Sequence, residues 1–396
     1  MKKFTLLVDG NYFFFRTLYV LPNLGKNKSS LSLGTEKEVS IYVRKLATDF
    51  ASEMRKFRPI VDEIIFSLDS KSWRKDFYPE ADYKGNRKVD STIHWDNFKR
   101  ATMEFKRALE DRGVKFHKME GAEGDDLIYA WSNFLNLDGK SVIIFSGDRD
   151  LMQLVSTNSS TNSQTLFYSG THKKICVPPG FLDWANTREE VDIFSMSSSS
   201  SNKLKEDLME LIKANNLATD EIHPDEFVFA KVLTGDAGDN IKPVYYYTST
   251  TKNGTRTYGI SEKKAEQVVS MFKKKHGSFL KTFMFDESFQ HDICKILIKE
   301  LNASKMPYDT ILNNLKNNAN LITLSSQSIP ETIHKMMFDE IESEQRSSIN
   351  FDNIVKMEKI LEGSGHANFK LNSDFFDDTK EDMSFIKKKN NTTTTF

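Results

Sequence analysis

The chain predicts an α/β fold: a mainly parallel sheet in its first half, then a mostly helical region. Two observations carry that expectation. Thr5-Leu6-Leu7-Val8-Asp9, Ile64-Ile65-Phe66-Ser67-Leu68-Asp69 and Val142-Ile143-Ile144-Phe145-Ser146-Gly147-Asp148 are short, β-rich apolar runs, and strands buried on both faces read that way. Between them, residues 36–58, 95–112 and 124–135 carry apolar side chains at spacings of three and four, the period of a helix packed on one face. Alternation of the two kinds marks residues 1–190 as a sheet domain.

The later elements follow from simpler signals. Ser195–Asn202 is almost all serine and reads as a flexible loop inside a linker-and-helix segment at 191–220. Lys203–Asn215, Pro224–Leu233 and Ser261–His276 read as helices of a region spanning 221–365. Residues 366–396 hold Asp374-Phe375-Phe376-Asp377-Asp378, three lysines and a threonine run, the composition of a disordered tail. No internal repeat is visible.

A length of 396 residues fits about two domains, and 38% hydrophobic residues suffice for a core. Two cysteines, far apart, argue against a disulfide framework and for a reducing, cytoplasmic setting. No apolar run approaches a membrane span, and Met1-Lys2-Lys3-Phe4 runs straight into a strand, so it reads as mature protein. The formal charge is −1, from 55 basic and 56 acidic residues. Setting nine clustered acids aside leaves 55 against 47, or +8, for the remaining surface, which permits a polyanionic partner.

Those nine acids are the main chemical signal. Asp9, Asp69 and Asp148 end the three strands, and in an open parallel sheet the carboxyl ends share one edge, where ligands bind. Glu123, Asp125 and Asp126 open a helix; Asp150 follows Asp148; Asp236 and Asp239 sit in a small-residue turn. Alone, each has an ordinary explanation, as helix cap, dipole partner or polar turn. Together they form a site for hard divalent cations, magnesium first, since like charges at one edge repel unless a cation intervenes. Two such ions can clamp both oxygens of an in-line phosphoryl displacement without a protein nucleophile. Asn11 excludes the two-aspartate pattern of haloacid-dehalogenase phosphotransferases, Phe134 breaks the Walker pattern at Gly139-Lys140-Ser141, and there is no His/Cys cluster for zinc.

Two further segments suggest nucleic acid. From Ser70 to Lys88, basic residues alternate with Trp73, Phe77, Tyr78 and Tyr83, a pattern that stacks bases and holds phosphates, although a basic loop with buried aromatics reads the same. Gly259-Ile260-Ser261-Glu262-Lys263-Lys264 is a capped helix start whose N–H groups suit an anion.

As a set, these motifs resemble the 5′-nuclease superfamily: flap endonucleases, the 5′-nuclease domain of bacterial DNA polymerase I and phage 5′-nucleases, with T-even phage ribonucleases H (5′-to-3′ exonucleases) the nearest branch. The similar segments are Leu7-Val8-Asp9, Trp73–Phe77 with Tyr83–Arg87, Glu123–Asp126, Ser146–Asp150 and Gly235–Ile241, in family order across residues 1–275. The resemblance implies a PIN-like nuclease core with a helical arch at 70–95 and a helix–turn–helix variant (H3TH-like) at 232–275. It implies Asp9, Asp69, Glu123, Asp125, Asp126 and Asp148 at one metal ion, Asp150, Asp236 and Asp239 at a second, with manganese able to replace magnesium. It implies Lys84 and Arg87 on the scissile phosphate, with Asp148 essential to catalysis, and Arg74, Lys75, Tyr83, Lys88, Gly259, Ser261, Lys263 and Lys264 on nucleic acid. Two departures stand out: the family turn Gly-x-Gly-Pro-Lys reads Gly259-Ile260-Ser261-Glu262-Lys263, and Tyr245–Tyr258 is inserted before it.

The expected function is a magnesium-dependent 5′-nuclease that cuts RNA primers or 5′ flaps in DNA replication or repair. It would act as a monomer, with a single-strand-binding protein or sliding clamp as partner. The alternatives are a PIN-domain ribonuclease, which lacks the arch and duplex-binding helices, and a non-catalytic DNA-binding protein, expected to have lost ligands.

Overall fold

A computed structural model describes residues 3–20, 32–183, 200–251, 254–277, 280–300, 303 and 305–344. The linker residues 191–199 and the tail expected at 366–396 lie outside the described residues.

The sheet has eight strands: β1 Phe4–Asp9, β2 Val61–Ser67, β3 Lys115–His117, β4 Val142–Phe145, β5 Ser156–Asn158, β6 Ser163–Ser169, β7 Lys174–Val177 and β8 Ala218–Glu221. Their order is β3-β2-β1-β4-β6-β7-β8, with β5 paired to β6. The β2–β3, β1–β2, β1–β4, β4–β6 and β7–β8 pairs are parallel, while β6 runs antiparallel to β5 and β7. From β1 the chain passes to β2 on one side, and β4 takes the other side. The crevice beyond their carboxyl ends is therefore the switch point where α/β sheets bind ligands.

Both faces are covered. Phe4, Leu6 and Val8 of β1 point toward helices α1 (Gly10–Val20), α2 (Glu36–Phe57) and, after the four-residue α3 (Arg74–Phe77), α4 (Trp95–Glu110). Phe13, Phe50, Phe66, Phe105 and Phe145 pack there edge-on or stacked. Leu7, Ile65 and Ile144 face the other way, onto α5 (Gly124–Leu137). This in–out alternation is the two-residue period of a strand. Helices α2 and α4 start within a residue of their expected positions. The second apolar run stops pairing at Ser67, so Asp69 lies two residues past its strand.

The second half is less uniformly helical than expected. Helix α6 (Ser200–Ala214) takes in Ser200–Asn202, which the serine composition assigned to a loop, and β8 rejoins the sheet beyond residue 190. Helices α7 (Pro224–Thr234), α8 (Glu262–His276), α9 (Glu287–Glu300) and α10 (Tyr308–Ile322) enclose a separate apolar cluster. A two-stranded ribbon, β9 (Tyr246–Thr251) and β10 (Gly254–Gly259), occupies the inserted segment. Helix α11 (Glu331–Ser343) then returns to the sheet domain, where Met337 and Ile341 join Leu127 and Trp131 in the α5 layer. Among the described residues no helix is long and apolar enough to cross a membrane.

Candidate active site

The acids collect at the β1–β4 crevice as the strand ends demand. Asp9 closes β1, where its carboxylate accepts from Tyr12 N–H at 2.9 Å and from Ser146 Oγ at 2.7 Å. Asp69 accepts from Gly124 N–H at 2.7 Å and Asn11 Nδ2 at 2.5 Å, which ties it to the start of α5 and to the start of α1. β4 ends at Phe145, so Asp148 and Asp150 lie beyond the strand. Asp148 instead caps a 3₁₀ turn, Arg149–Leu154, by accepting from Asp150 N–H at 2.9 Å. Gly147 allows that turn because a Cβ there would sit 2.2 Å from the Tyr12 ring.

Asp9, Asp69, Asp125 and Asp148 lie near enough for their negative charges to oppose one another. Burial pushes Asp9 up to about 7, aided by the charges of Asp69 and Asp148 and opposed by its two hydrogen bonds. Asp125 is raised well above the usual carboxylate range by burial and by Asp148, Asp9 and Asp69. Desolvation in the cleft also raises Asp69.

The other acids have cationic partners. Glu123 receives Lys84 Nζ on Oε1 and Arg74 Nη1, at 3.0 Å, on Oε2. Burial opposes its ionisation, yet Arg74 and Lys84 hold it below the usual range. Asp239 receives Arg87 Nη2 at 2.5 Å. The Tyr83 hydroxyl lies 2.9 Å from Glu123 Oε2 and 3.1 Å from Asp239 Oδ2. Lys231 Nζ sits between Asp150 at 2.9 Å and Asp236 at 2.8 Å. Burial and Asp148 still raise Asp150 to about 6, whereas Lys231 and two backbone N–H donors hold Asp236 low against its own desolvation.

Three sequence expectations are corrected here. Asp126 is fully buried, with both oxygens taken by Arg74 Nη1 and Nη2, Trp73 Nε1 and Glu123 N–H at 2.9–3.1 Å; it organises the helix start and is not a ligand. Arg74 is 3% exposed and also donates Nε to Leu321 O at 2.9 Å, so it does not contact nucleic acid. Tyr83 and Trp73 are core residues, 6% and 1% exposed, and cannot stack on bases. A buried guanidinium needs every donor satisfied, and the aromatics around it supply the dry wall. Of the four aromatics in that segment only Phe77 is exposed.

The segment carrying Lys84 and Arg87 is bolted to the Asp236–Asp239 turn from 150 residues away. Lys84 N–H donates to Asp239 O, Asn86 Nδ2 to Ala237 O and Asn240 Nδ2 to Asp82 O, at 2.9–3.0 Å. Lys75 and Lys88 are exposed. Gly259, Ser261, Lys263 and Lys264 are exposed too, at the start of α8, where Ser261 Oγ accepts from Lys264 N–H as expected of an N-cap. Lys231, Asn11 and Ser146 were missed. The sequence cue for Lys231 is a lone lysine in the apolar stretch just before the acidic turn, and Ser146 opens the family-like Ser146–Asp150 segment; Asn11 has no such cue.

A cavity of about 30 Å³ is lined by Glu123, Asp125, Asp150, Asp236 and Asp239 among others, enough for a single ion or water. A larger groove of about 750 Å³ beside Arg55 and Lys203 lacks this chemistry. Among the described residues no three acids already converge on one coordination point. The fit to a divalent cation rests on donor type and charge: hard carboxylate oxygens, crowded until some favour protonation.

Residues 4–177 match the family model of the "5'-3' exonuclease, N-terminal resolvase-like domain". The likeness to that domain family covers less than half of the chain. The chain is 30% identical over 198 residues to DNA polymerase I of Rhizobium leguminosarum, covering 49% of this chain and 18% of that protein. It is 26% identical over 204 residues to the 5'-3' exonuclease of Buchnera aphidicola subsp. Schizaphis graminum, covering 51% and 65%. The chain thus spans less than two thirds of the length of these curated relatives. The T5 D15 protein co-crystallized with metal ions aligns at a TM-score of 0.46 and 16% identity, over 91% of this chain and 98% of that one. The matched segment contains Asp9, Asp69, Glu123, Asp125, Asp148 and Asp150, while Asp236, Asp239 and Lys231 come from beyond it.

Proposed function

We propose that the protein is a magnesium-dependent, structure-specific 5′-nuclease of the phage ribonuclease H type, hydrolysing phosphodiesters of RNA primers or 5′ flaps in DNA replication or repair. The observation that carries this reading is the crowding of Asp9, Asp69, Asp125 and Asp148 at the sheet's switch point, where burial and then its three neighbours raise Asp125. Asp9, Asp69, Glu123, Asp125 and Asp148 would hold one divalent cation, and Asp150, Asp236 and Asp239 a second. Bound there, magnesium or manganese would supply Lewis acidity at the scissile phosphate and at the attacking water.

The chain's own cations have a distinct task. Lys84 and Arg87 rest on Glu123 and Asp239. Once those carboxylates are otherwise neutralised, both side chains are free to turn to the phosphate. Lys84 sits at the rim of the cleft with φ 56°, and its backbone N–H is anchored to Asp239 O. Binding would follow backbone shape and weaken with salt, and the product would carry a 5′-phosphate. A monomer in the cytoplasm, working beside a single-strand-binding protein or sliding clamp, fits this role.

The test is cleavage of a 5′-labelled flap and of an RNA-primed duplex with magnesium, beside Asp148→Asn and EDTA. Metal-dependent cutting near the junction or from the 5′ end is expected, lost by more than about 100-fold in the variant. Tight flap binding with no cutting under any divalent metal would overturn the nuclease reading in favour of a binding protein.

A further inference from the structure

From Lys242 to Ser261 the chain contains no acidic residue, in a protein where Asp and Glu number 56 of 396. That stretch holds Lys242, Lys252, Arg256, four tyrosines and a run of threonines. It folds as the β9–β10 ribbon, whose register pairs Thr248 with Thr257, Ser249 with Arg256, Thr250 with Thr255 and Tyr247 with Tyr258. Alternation therefore separates two faces. One is a plane of four exposed threonines, with Thr250 and Thr255 hydroxyls 3.3 Å apart. The other holds the stacked Tyr247 and Tyr258 rings, 5.3 Å between centroids, with Ser249 and Arg256 beside them. Exposed Lys305 adds a charge there, its Nζ 4.0 Å from the Tyr247 ring centre.

The ribbon has a rigid root. Val244, Tyr245 and Ile260 are buried in the cluster formed by α7–α10. Val244 N–H donates to Leu233 O, and Val244 O accepts from Asn314 Nδ2, both at 3.0 Å. Gly259 closes the base because a Cβ there would lie 2.6 Å from Pro243 Cγ. The root joins the Asp236–Asp239 turn on one side and leads directly into α8 on the other, where Lys263 and Lys264 are exposed.

We propose that the β9–β10 ribbon is a grip for double-helical nucleic acid beside the cleft, with Arg256 and Lys305 on phosphates and the Ser249 hydroxyl, on the same face, on the adjoining backbone. A two-stranded ribbon is of a size that a duplex groove admits, and hydroxyl and cationic side chains are the usual partners of phosphate oxygens. The contact reads no sequence. This inference rests on the nuclease reading and adds a surface that the exonuclease-family segment, ending at residue 177, does not contain.

The test is fluorescence-anisotropy binding of a blunt duplex and of a single strand of equal length, in EDTA, across a salt series, for the full chain, Arg256→Glu and Lys305→Gln. Melting curves check that each variant is folded. For Arg256→Glu, duplex affinity should fall about tenfold at moderate salt, and the slope of log K against log salt should shrink by about one or more. Lys305→Gln should give a smaller change of the same kind, and single-strand affinity should hold. Folded variants with unchanged duplex affinity and slope would overturn the grip, as would an equal loss on single strands. If the unaltered protein cuts flaps while the variants bind duplex as it does, only the grip fails. If it neither cuts nor binds duplex, both readings fail.

Discussion

The acidic edge has two halves that look alike in sequence and differ in what balances their charge. In the first, Asp9, Asp69, Asp125 and Asp148 face one another, and the first three are raised above the ordinary carboxylate range. In the second, Glu123, Asp239, Asp150 and Asp236 are joined to Arg74, Lys84, Arg87 and Lys231. The first half is short of positive charge and the second is already supplied with it. A cation entering the first half relieves repulsion, while one entering the second must displace a side chain. Asp150 stands between the two, raised to about 6 although Lys231 touches it.

Asp126→Ala separates structural acids from metal-facing ones most strongly. It strips a buried guanidinium of its bidentate partner and should destabilise the fold by about 3–5 kcal/mol, read as a lowered denaturation midpoint. Magnesium affinity per folded molecule should change little; a loss of metal binding without loss of stability would return Asp126 to the ligands. Lys84→Ala comes next. Cleavage should slow by about 10²-fold while duplex affinity stays near normal, and an unaltered single-turnover rate would remove Lys84 from the site.

The pH dependence of the metal-free protein comes third. Asp9 shifts from 3.8 to about 7 on folding, and Asp69, Asp125 and Asp150 shift the same way. Between those values the folded state binds more protons than the unfolded chain, so stability falls as pH rises, by at most about 1.4 kcal/mol per pH unit for each group. Glu123 and Asp236, held low, act in the opposite sense at more acid pH. In EDTA the melting temperature should therefore drop from pH 5 to pH 7.5, and magnesium should restore more of it at the higher pH. A flat profile, or an equal metal gain at both ends, would mean that the first half is not short of positive charge.

The smallest expected effect is that of Lys231→Met. Removing the competing ammonium should tighten manganese binding at the second half, measured by calorimetric titration, with a slight loss of metal-free stability because the pair is partly solvated. Weaker binding would make Lys231 a support for the site instead of a rival to the ion.

Much of this was legible in the residues because its causes are local. Thr5–Asp9, Ile64–Asp69 and Val142–Asp148 announce strands through apolar, β-branched runs, and an aspartate just past such a run must lie near the carboxyl edge of a parallel sheet. The helix start at Ser261 is capped by its own hydroxyl, which accepts from the Lys264 N–H three positions on. The basic-aromatic stretch from Ser70 to Lys88 misled for the opposite reason. Burial of Trp73, Arg74 and Tyr83 depends on Asp126, Glu123 and Leu321, residues 40–247 positions away.

By itself, then, the sequence determined which carboxylates would reach one edge of the sheet, since strand period, burial and chain direction follow from neighbouring residues. Only the tertiary structure decided which of them stay uncompensated. The balancing cations arrive from distant segments: Arg74 from α3, Lys84 from the stretch that follows it, and Lys231 from α7, beyond the matched segment. Charge compensation in a low-dielectric cleft depends on distances of a few ångströms, and such distances between remote segments are set by packing rather than by local pattern.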